Sequence, residues 1–184
     1  MSSIEKTLDE QQLVVQKIDE CVEKSKVKTY DFVKRIIDII ISGIGLIICL
    51  PIFILIAIII KIDPKGPVFF KHKRIGKHGK KLEIYKFRTM IENAEEAMKY
   101  FTEEQKKEFE ENFKLENDPR VTRVGKILRK TSLDELPQII NILKGEMSII
   151  GPRPIVKNEL EKYGKNQERF LSVAPGLTGY WAAN

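Results

Sequence analysis

The chain has 184 residues, 32% charged and 42% hydrophobic, an ordinary globular balance that suits one domain plus an anchor. Its formal net charge of +6 points to partners that carry phosphates: lipid headgroups, nucleotides or nucleic acid. The two cysteines, Cys21 and Cys49, are far apart and form no C-x-x-C pair, which excludes a disulfide framework or a zinc knuckle.

Residues 1–30 are polar and mixed in charge. Leu13, Val14 and Ile18 mark one weak amphipathic turn, and a mobile tail is the expectation. An uncharged run follows from Ile39 to Ile60, about 22 residues, enough for a helix to cross a bilayer. It begins too far from Met1 for a secretory signal and ends in no small-x-small cleavage site, so it reads as retained. Pro51 stands in its middle and removes one backbone hydrogen bond, at a cost of roughly 3 kcal/mol inside a helix. Both flanks are basic: Lys24, Lys26, Lys28, Lys34 and Arg35 before the run, and Lys61, Lys65, Lys71, Lys73 and Arg74 after it. A spanning helix would place one cationic cluster on the wrong side of the membrane. A re-entrant helix broken at Pro51 keeps both clusters in the cytoplasm, and a kinked spanning helix is the alternative. Asp38, one turn inside, is expected to pair with a cation or stay at headgroup depth. Gly43 and Gly45 would let helices approach closely, as in a homodimer.

Beyond the run, Val68-Phe69-Phe70 and residues 81–88 read as two strands joined through Gly76 and Gly79. Period-two alternation puts Leu82, Ile84, Lys86 and Arg88 on one strand face. Residues 91–116 are helical by pattern, with Ala94, Met98, Phe101, Phe109 and Phe113 at helical spacing. A short basic helix follows with Val121, Val124, Ile127 and Leu128 on its apolar side. The next helix, from about Asp134, ends at Gly145. Residues 147–154 read as a short strand entering a proline-braced loop, and 155–170 as a polar helix.

Chemistry concentrates in the segment TSLDELPQ, residues 131–138. If Asp134 caps the helix, Pro137 falls at its third position, where no N–H is needed. Asp134 would then lie at the positive end of a helix, which favours anions and keeps the carboxylate ionised, as a nucleophile requires. Glu135, pointing elsewhere, could hold Mg²⁺ through oxygen. Ser132-x-x-Glu135 also reads as a plain capping box. Among the cations, Lys86 and Arg88 share a strand face, Arg129 precedes Asp134 by five residues, and Arg153 is held between two prolines in a way that suits phosphate. His72 and His78 read as surface histidines. No Ser-His-Asp triad, P-loop or dinucleotide glycine motif is present.

Taken in order, KRIIDIIIS, the proline-broken apolar helix, GPVFFKHKRIGKHGK, IYKFRTM, DPRVTRVGKILRKTSLDELPQIINILKGEMSIIGPRP and PGLTGYW resemble the bacterial sugar transferase family, the monotopic phosphoglycosyl transferases. The resemblance implies an α+β fold: a membrane-embedded re-entrant helix hairpin (31–62, broken at Pro51) after a polar tail (1–30), then a small, mostly helical cytosolic catalytic domain with a short β-hairpin (63–184). It implies a site at the cytoplasmic face of a bacterial inner membrane. There, a sugar-1-phosphate passes from a UDP-sugar to undecaprenyl phosphate through a phosphosugar-aspartyl enzyme, which initiates exopolysaccharide, capsule or glycoconjugate assembly. Asp134 is the implied nucleophile and Glu135 the implied Mg²⁺ ligand, with Lys86, Arg88, Arg129 and Arg153 as phosphate-binding residues. Two departures stand out. Leu50 replaces the serine that often precedes the helix-breaking proline, and the family's Gly-Arg motif and C-terminal amphipathic helices are not seen before Asn184. The competing reading is a truncated, non-catalytic membrane-surface relative. A nucleic-acid binder is disfavoured, because no aromatic stacking platform or nucleic-acid motif accompanies the charge.

Overall fold

The computed structural model describes residues 3–62, 66–112 and 115–183, with side chains for 27–62, 66–109, 115–180 and 182. The chain divides into two compact units, Met1–Ile41 and Ser42–Asn184, and the division falls inside the long helix α1 (Ser3–Ile62). The stretch expected to be a polar tail is therefore helical from Ser3. Its glutamates, glutamines and lysines are strong helix formers, so once nucleated the helix extends through them. The expected re-entrant hairpin is not confirmed, since α1 continues as one helix on both sides of Pro51. In the first unit, Asp38 is buried and its carboxylate lies 3.5 Å from the Lys34 ammonium one turn earlier, the pairing anticipated for it.

Within the second unit, only one stripe of α1 is covered by protein. Phe53, Ile56 and Ile60 are buried in a cluster with Phe87 and Leu128, and Leu46 and Cys49 extend the stripe at the same three-to-four spacing. The other faces are bare: Ile47 is 74% and Ile48 68% exposed. A helix apolar all round but buried on one stripe leaves a surface that water does not favour and lipid does. Val27–Ile62 is long and apolar enough to cross a membrane.

The expected hairpin is present. β1 (Phe69–Ile75) pairs antiparallel with β2 (Lys81–Phe87), from Phe69 opposite Phe87 to Ile75 opposite Lys81. Phe87 ties the hairpin to α1: its ring stacks on Phe69 at 5.4 Å and meets Phe53 edge-on at 5.2 Å. The single helix expected over 91–116 is instead interrupted. α2 (Ala94–Ala97) runs into a 3₁₀ turn (Met98–Tyr100), and α3 (Glu103–Asn112) starts afresh. Thr102 and Gln105 explain the restart. The Gln105 N–H donates to Thr102 Oγ1 (3.2 Å) and the Thr102 N–H to Gln105 Oε1 (3.1 Å), a capping box. Phe113 lies outside the described residues.

α4 (Arg123–Lys130) is capped by Thr122, whose hydroxyl accepts the Gly125 N–H. Gly125 is required here, because an added Cβ would overlap the Thr89 carbonyl oxygen. Of the four residues assigned to its apolar side, Leu128 is buried but Ile127 is 65% exposed, so the buried stripe is narrower than the pattern implies. α5 (Gln138–Lys144) ends as expected at Gly145, in the left-handed conformation with φ 81°. β3 (Ser148–Ile150) confirms the short strand and pairs in parallel with β4 (Gly176–Thr178), an element not foreseen. Between them the expected polar helix is split into α6 (Lys157–Leu160), a 3₁₀ stretch (Glu161–Asn166) and α7 (Gln167–Leu171), broken where Gly164 leaves helical geometry. α8 (Tyr180–Ala183) follows β4.

A second cluster, Leu82, Ile84, Ile142 and Met147, joins β2, α5 and β3. Asn141, fully buried, fixes their registry. Its Oδ1 accepts the Tyr85 N–H (2.9 Å), and its Nδ2 donates to the Glu83 carbonyl (2.8 Å) and to Glu146 (2.7 Å). A buried amide with each of these bonds made holds α5 against the edge of β2.

Candidate active site

The clamp at Asn141 sets the turn just before α5 beside the outer end of β2. Asp134 and Glu135 lie in that turn, a 3₁₀ segment (Leu133–Glu135), not at the N-cap of an α-helix. The helix begins later, with Pro137 as the residue before Gln138. The proline supplies its fixed φ to a chain that is already helical, and the 3₁₀ bonds Glu135 N–H to Ser132 O and Leu136 N–H to Leu133 O take the place of a cap. Ser132 does not form the capping box; its side chain makes no cap bond. It occupies the left-handed region instead (φ 56°), the reversal that ends α4 and starts the turn, a place where glycine is usual.

The turn brings both carboxylates to one cation. Lys86 Nζ is 2.6 Å from Glu135 Oε1 and 4.0 Å from Asp134 Oδ2. The strand alternation places Lys86 as expected: Ile84 and Lys86 face a cavity of about 550 Å³, within the range of small-molecule sites. Glu135, Ser132 and Gln138 line it from the turn, and Arg74 and Arg153 line it as well. Asp134 adjoins this lining through Lys86 and is only 8% exposed.

Asp134 departs from the expectation that its surroundings keep it ionised. Burial pushes its pKa above the ordinary carboxylate value, and the neighbouring Glu135 charge adds to this. Lys86 and Arg129 oppose the shift without reversing it. Elevation of this kind is common where a group is poised for chemistry.

Two of the cations expected at the cavity are elsewhere. Arg88 is buried and its Nη2 donates to the Ile60 carbonyl at 3.2 Å, bracing the end of α1. The alternation fails there because β2 ends at Phe87, so Phe87 and Arg88 are both buried. Arg129 reaches across to Thr89, Nε to Oγ1 at 3.0 Å, and acts on Asp134 through its charge. Arg153 is at the cavity as its two prolines suggest. Arg74, Ser132 and Gln138 were not singled out by sequence reasoning. Arg74 was legible in principle: the hairpin register sets it opposite Leu82, on the face that carries Lys86.

Mg²⁺ takes oxygen ligands and is commonly held by one or two carboxylates together with substrate phosphates. Adjacent Asp134 and Glu135 fit that donor set, while no group of three or more candidate ligands occurs among the described residues.

The family model for bacterial sugar transferases matches residues 29–184. The chain belongs to the bacterial sugar transferase family. It is 47% identical over 153 residues to an undecaprenyl-phosphate galactose phosphotransferase of Salmonella typhimurium, covering 82% of this chain and 32% of that protein. It is 46% identical over 151 residues to the exopolysaccharide production protein ExoY of Sinorhizobium fredii, covering 80% and 67%. Against a UDP-glucose:undecaprenyl-phosphate glucose-1-phosphate transferase of Klebsiella pneumoniae it is 41% identical over 151 residues, covering 79% and 30%. This sugar transferase chain thus spans about a third of the Salmonella and Klebsiella proteins and two thirds of ExoY.

Proposed function

We propose that this sugar transferase moves a sugar-1-phosphate from a UDP-sugar to undecaprenyl phosphate in two displacements at one phosphorus, as an opening step of exopolysaccharide or related glycan assembly. The reading rests on one observation: a buried carboxylate, Asp134, beside Glu135 and Lys86, next to a cavity that two guanidinium groups also line. In the first displacement an Asp134 oxygen attacks the sugar-side phosphorus. An O–P bond to Asp134 forms, the diphosphate P–O bond breaks, and UMP leaves with the bonding pair. In the second, a phosphate oxygen of the lipid attacks the same phosphorus and the Asp134 O–P bond breaks. The products are a polyprenol diphosphate sugar and free carboxylate.

Each residue has a separate task. Lys86 offsets the charge of the carboxylate pair, so that Asp134 can ionise despite its burial. Arg129 adds positive potential at Asp134. Arg153 meets phosphate at the cavity wall. Glu135, with Asp134 beside it, is the residue suited to hold Mg²⁺, which when bound would neutralise diphosphate charge.

The apolar surface of α1 would seat the chain in the cytoplasmic leaflet of the inner membrane; keeping both basic flanks of the apolar run on the cytoplasmic side would require α1, continuous through Pro51 here, to break and return at that proline in the bilayer. Cysteine labelling on either side of residues 39–60 tests this; opposite accessibility of the two flanks would replace re-entry by spanning. The reaction is tested by incubating the protein in nanodiscs with undecaprenyl phosphate, Mg²⁺ and a panel of UDP-sugars and measuring UMP. Release with one sugar, lost in Asp134→Asn, is expected. No release from folded protein would sink the proposal.

A further inference from the structure

We infer that Arg74, together with Arg153, holds the phosphate of the leaving nucleotide, and that Arg74 is a binding residue for this reaction. The inference rests on the reading of the site as a phosphosugar transferase. The cavity is polarised along the hairpin. Arg74 is level with Leu82, four residues before Lys86, so at about 3.4 Å per residue the two positions are about 14 Å apart along the strands. Both nonetheless border the same cavity. Asp134 and Glu135 are paired with Lys86, while Arg153 is a charge neighbour of Arg74, which also feels the Glu135 charge.

The Arg74 side chain is braced on both flanks. Nη1 is 3.8 Å from Glu159 Oε2, and Nη2 is 3.5 Å from His72 Nδ1. The same Glu159 oxygen accepts the Val156 N–H at 3.1 Å, so the brace also ties the hairpin to the start of α6. Arg74 and Arg153 are close enough to repel one another. Two guanidiniums converging on one cavity, one held in place from the side, form a fork for an anion with several oxygens.

The direction of the reaction decides which anion. A phosphoryl displacement is in line, so the leaving oxygen departs on the side away from the attacking carboxylate. Charge develops there, and preorganised cations on that side lower the barrier, a task that suits the arginine pair, whose Arg74 position is set along the strands from Lys86. By the same rule the lipid phosphate enters opposite the Asp134 O–P bond, on the face that UMP has left, so the nucleotide must clear the arginines before the lipid attacks. The shared chemistry is a phosphate monoester dianion, and the two sources are separable by experiment.

UMP affinity is measured by titration calorimetry on the whole chain in nanodiscs for the unaltered protein, Arg74→Gln, Arg74→Lys and Glu159→Gln. The KM for the active UDP-sugar and for undecaprenyl phosphate is measured in parallel. Arg74→Gln should weaken UMP binding at least tenfold and raise the donor KM by a similar factor. Arg74→Lys should recover only part of the loss, because a lysine lacks the fork. The inference is overturned if UMP affinity is unchanged, or if the lipid KM rises instead. It is also overturned if Glu159→Gln loses as much UMP affinity as Arg74→Gln, which would make Arg74 merely a partner for that carboxylate. UMP binding that depends on Arg74 in a protein without turnover would uphold this inference while defeating the proposed reaction. Turnover with Arg74-independent UMP binding would do the reverse.

Discussion

Asp118 and Asp134 are each 8% exposed, yet the protein treats them in opposite ways. Asp118 lies at the corner before α4 and is saturated by Arg120, which donates Nε at 2.8 Å and Nη2 at 2.6 Å, with its backbone N–H adding a third bond at 3.0 Å. The guanidinium itself lies over Phe101 and Phe109, 5.0 and 5.2 Å from the ring centroids. Burial works to raise the Asp118 pKa, but the hydrogen bonds and charge of Arg120 outweigh it, and the carboxyl falls below its ordinary range. Among the described residues Asp134 has no cation nearer than the Lys86 ammonium at 4.0 Å, and burial prevails. One aspartate is tied off to hold a corner. The other is left in want of counter-charge beside a cavity, the state in which a carboxylate can form a new bond.

The sharpest way to break this contrast is Asp134→Asn. Turnover should fall by at least roughly a thousandfold, as expected for loss of a nucleophile, with the fold intact. The same change should raise the melting temperature at pH 7. A carboxylate whose folded pKa is raised contributes stability only below its unfolded value, and loses it as pH rises through the folded pKa. The gain should therefore vanish below about pH 3.9, the ordinary Asp value. A variant that melts lower than the parent at pH 7 would show that Asp134 is as structurally satisfied as Asp118.

Asp118→Ala should have the opposite profile. Removing one partner of a buried pair costs about 3–5 kcal/mol, since Arg120 is left charged between two rings. Thermal melts in detergent should show a large loss, while the donor KM of the protein that remains folded stays unchanged. A change in KM without loss of stability would move Asp118 into the binding site.

A smaller effect concerns His72, beside Arg74. Burial, with Arg74 and Lys86 nearby, lowers the His72 pKa to about 4. The unfolded chain takes up this proton near pH 6.5, so stability should fall between about pH 6.5 and 4, by on the order of 1 kcal/mol after allowance for partial exposure. His72→Gln should flatten that part of the pH–stability curve; an unchanged slope would place the acid sensitivity elsewhere. Smallest of all, Ser132→Gly should stabilise the left-handed position beside Glu135 by up to about 1 kcal/mol. If turnover also drops, the serine hydroxyl has a role at the cavity that its backbone alone does not explain.

Much of this was legible in the chain. The alternation in KLEIYKFR places Lys86 at the cavity, Gly145 ends α5, and the adjacent carboxylates before a proline point to the candidate site. Those signals are local, and short-range sterics and period-two geometry determine them wherever the segment lies. Other features depend on which surfaces meet. The pattern could not say that Arg88 turns to the Ile60 carbonyl, that Arg129 stops at Thr89, or that Arg74 takes the place expected for them. Nor could charge and spacing tell Asp118 from Asp134, because a pKa depends on which cation arrives within bonding distance once both are buried. The sequence alone determined the elements and the chemical inventory, through torsional preference and hydrophobic period. The tertiary structure alone decided which charges are satisfied and which are kept in reserve, because that is settled by distances across the fold.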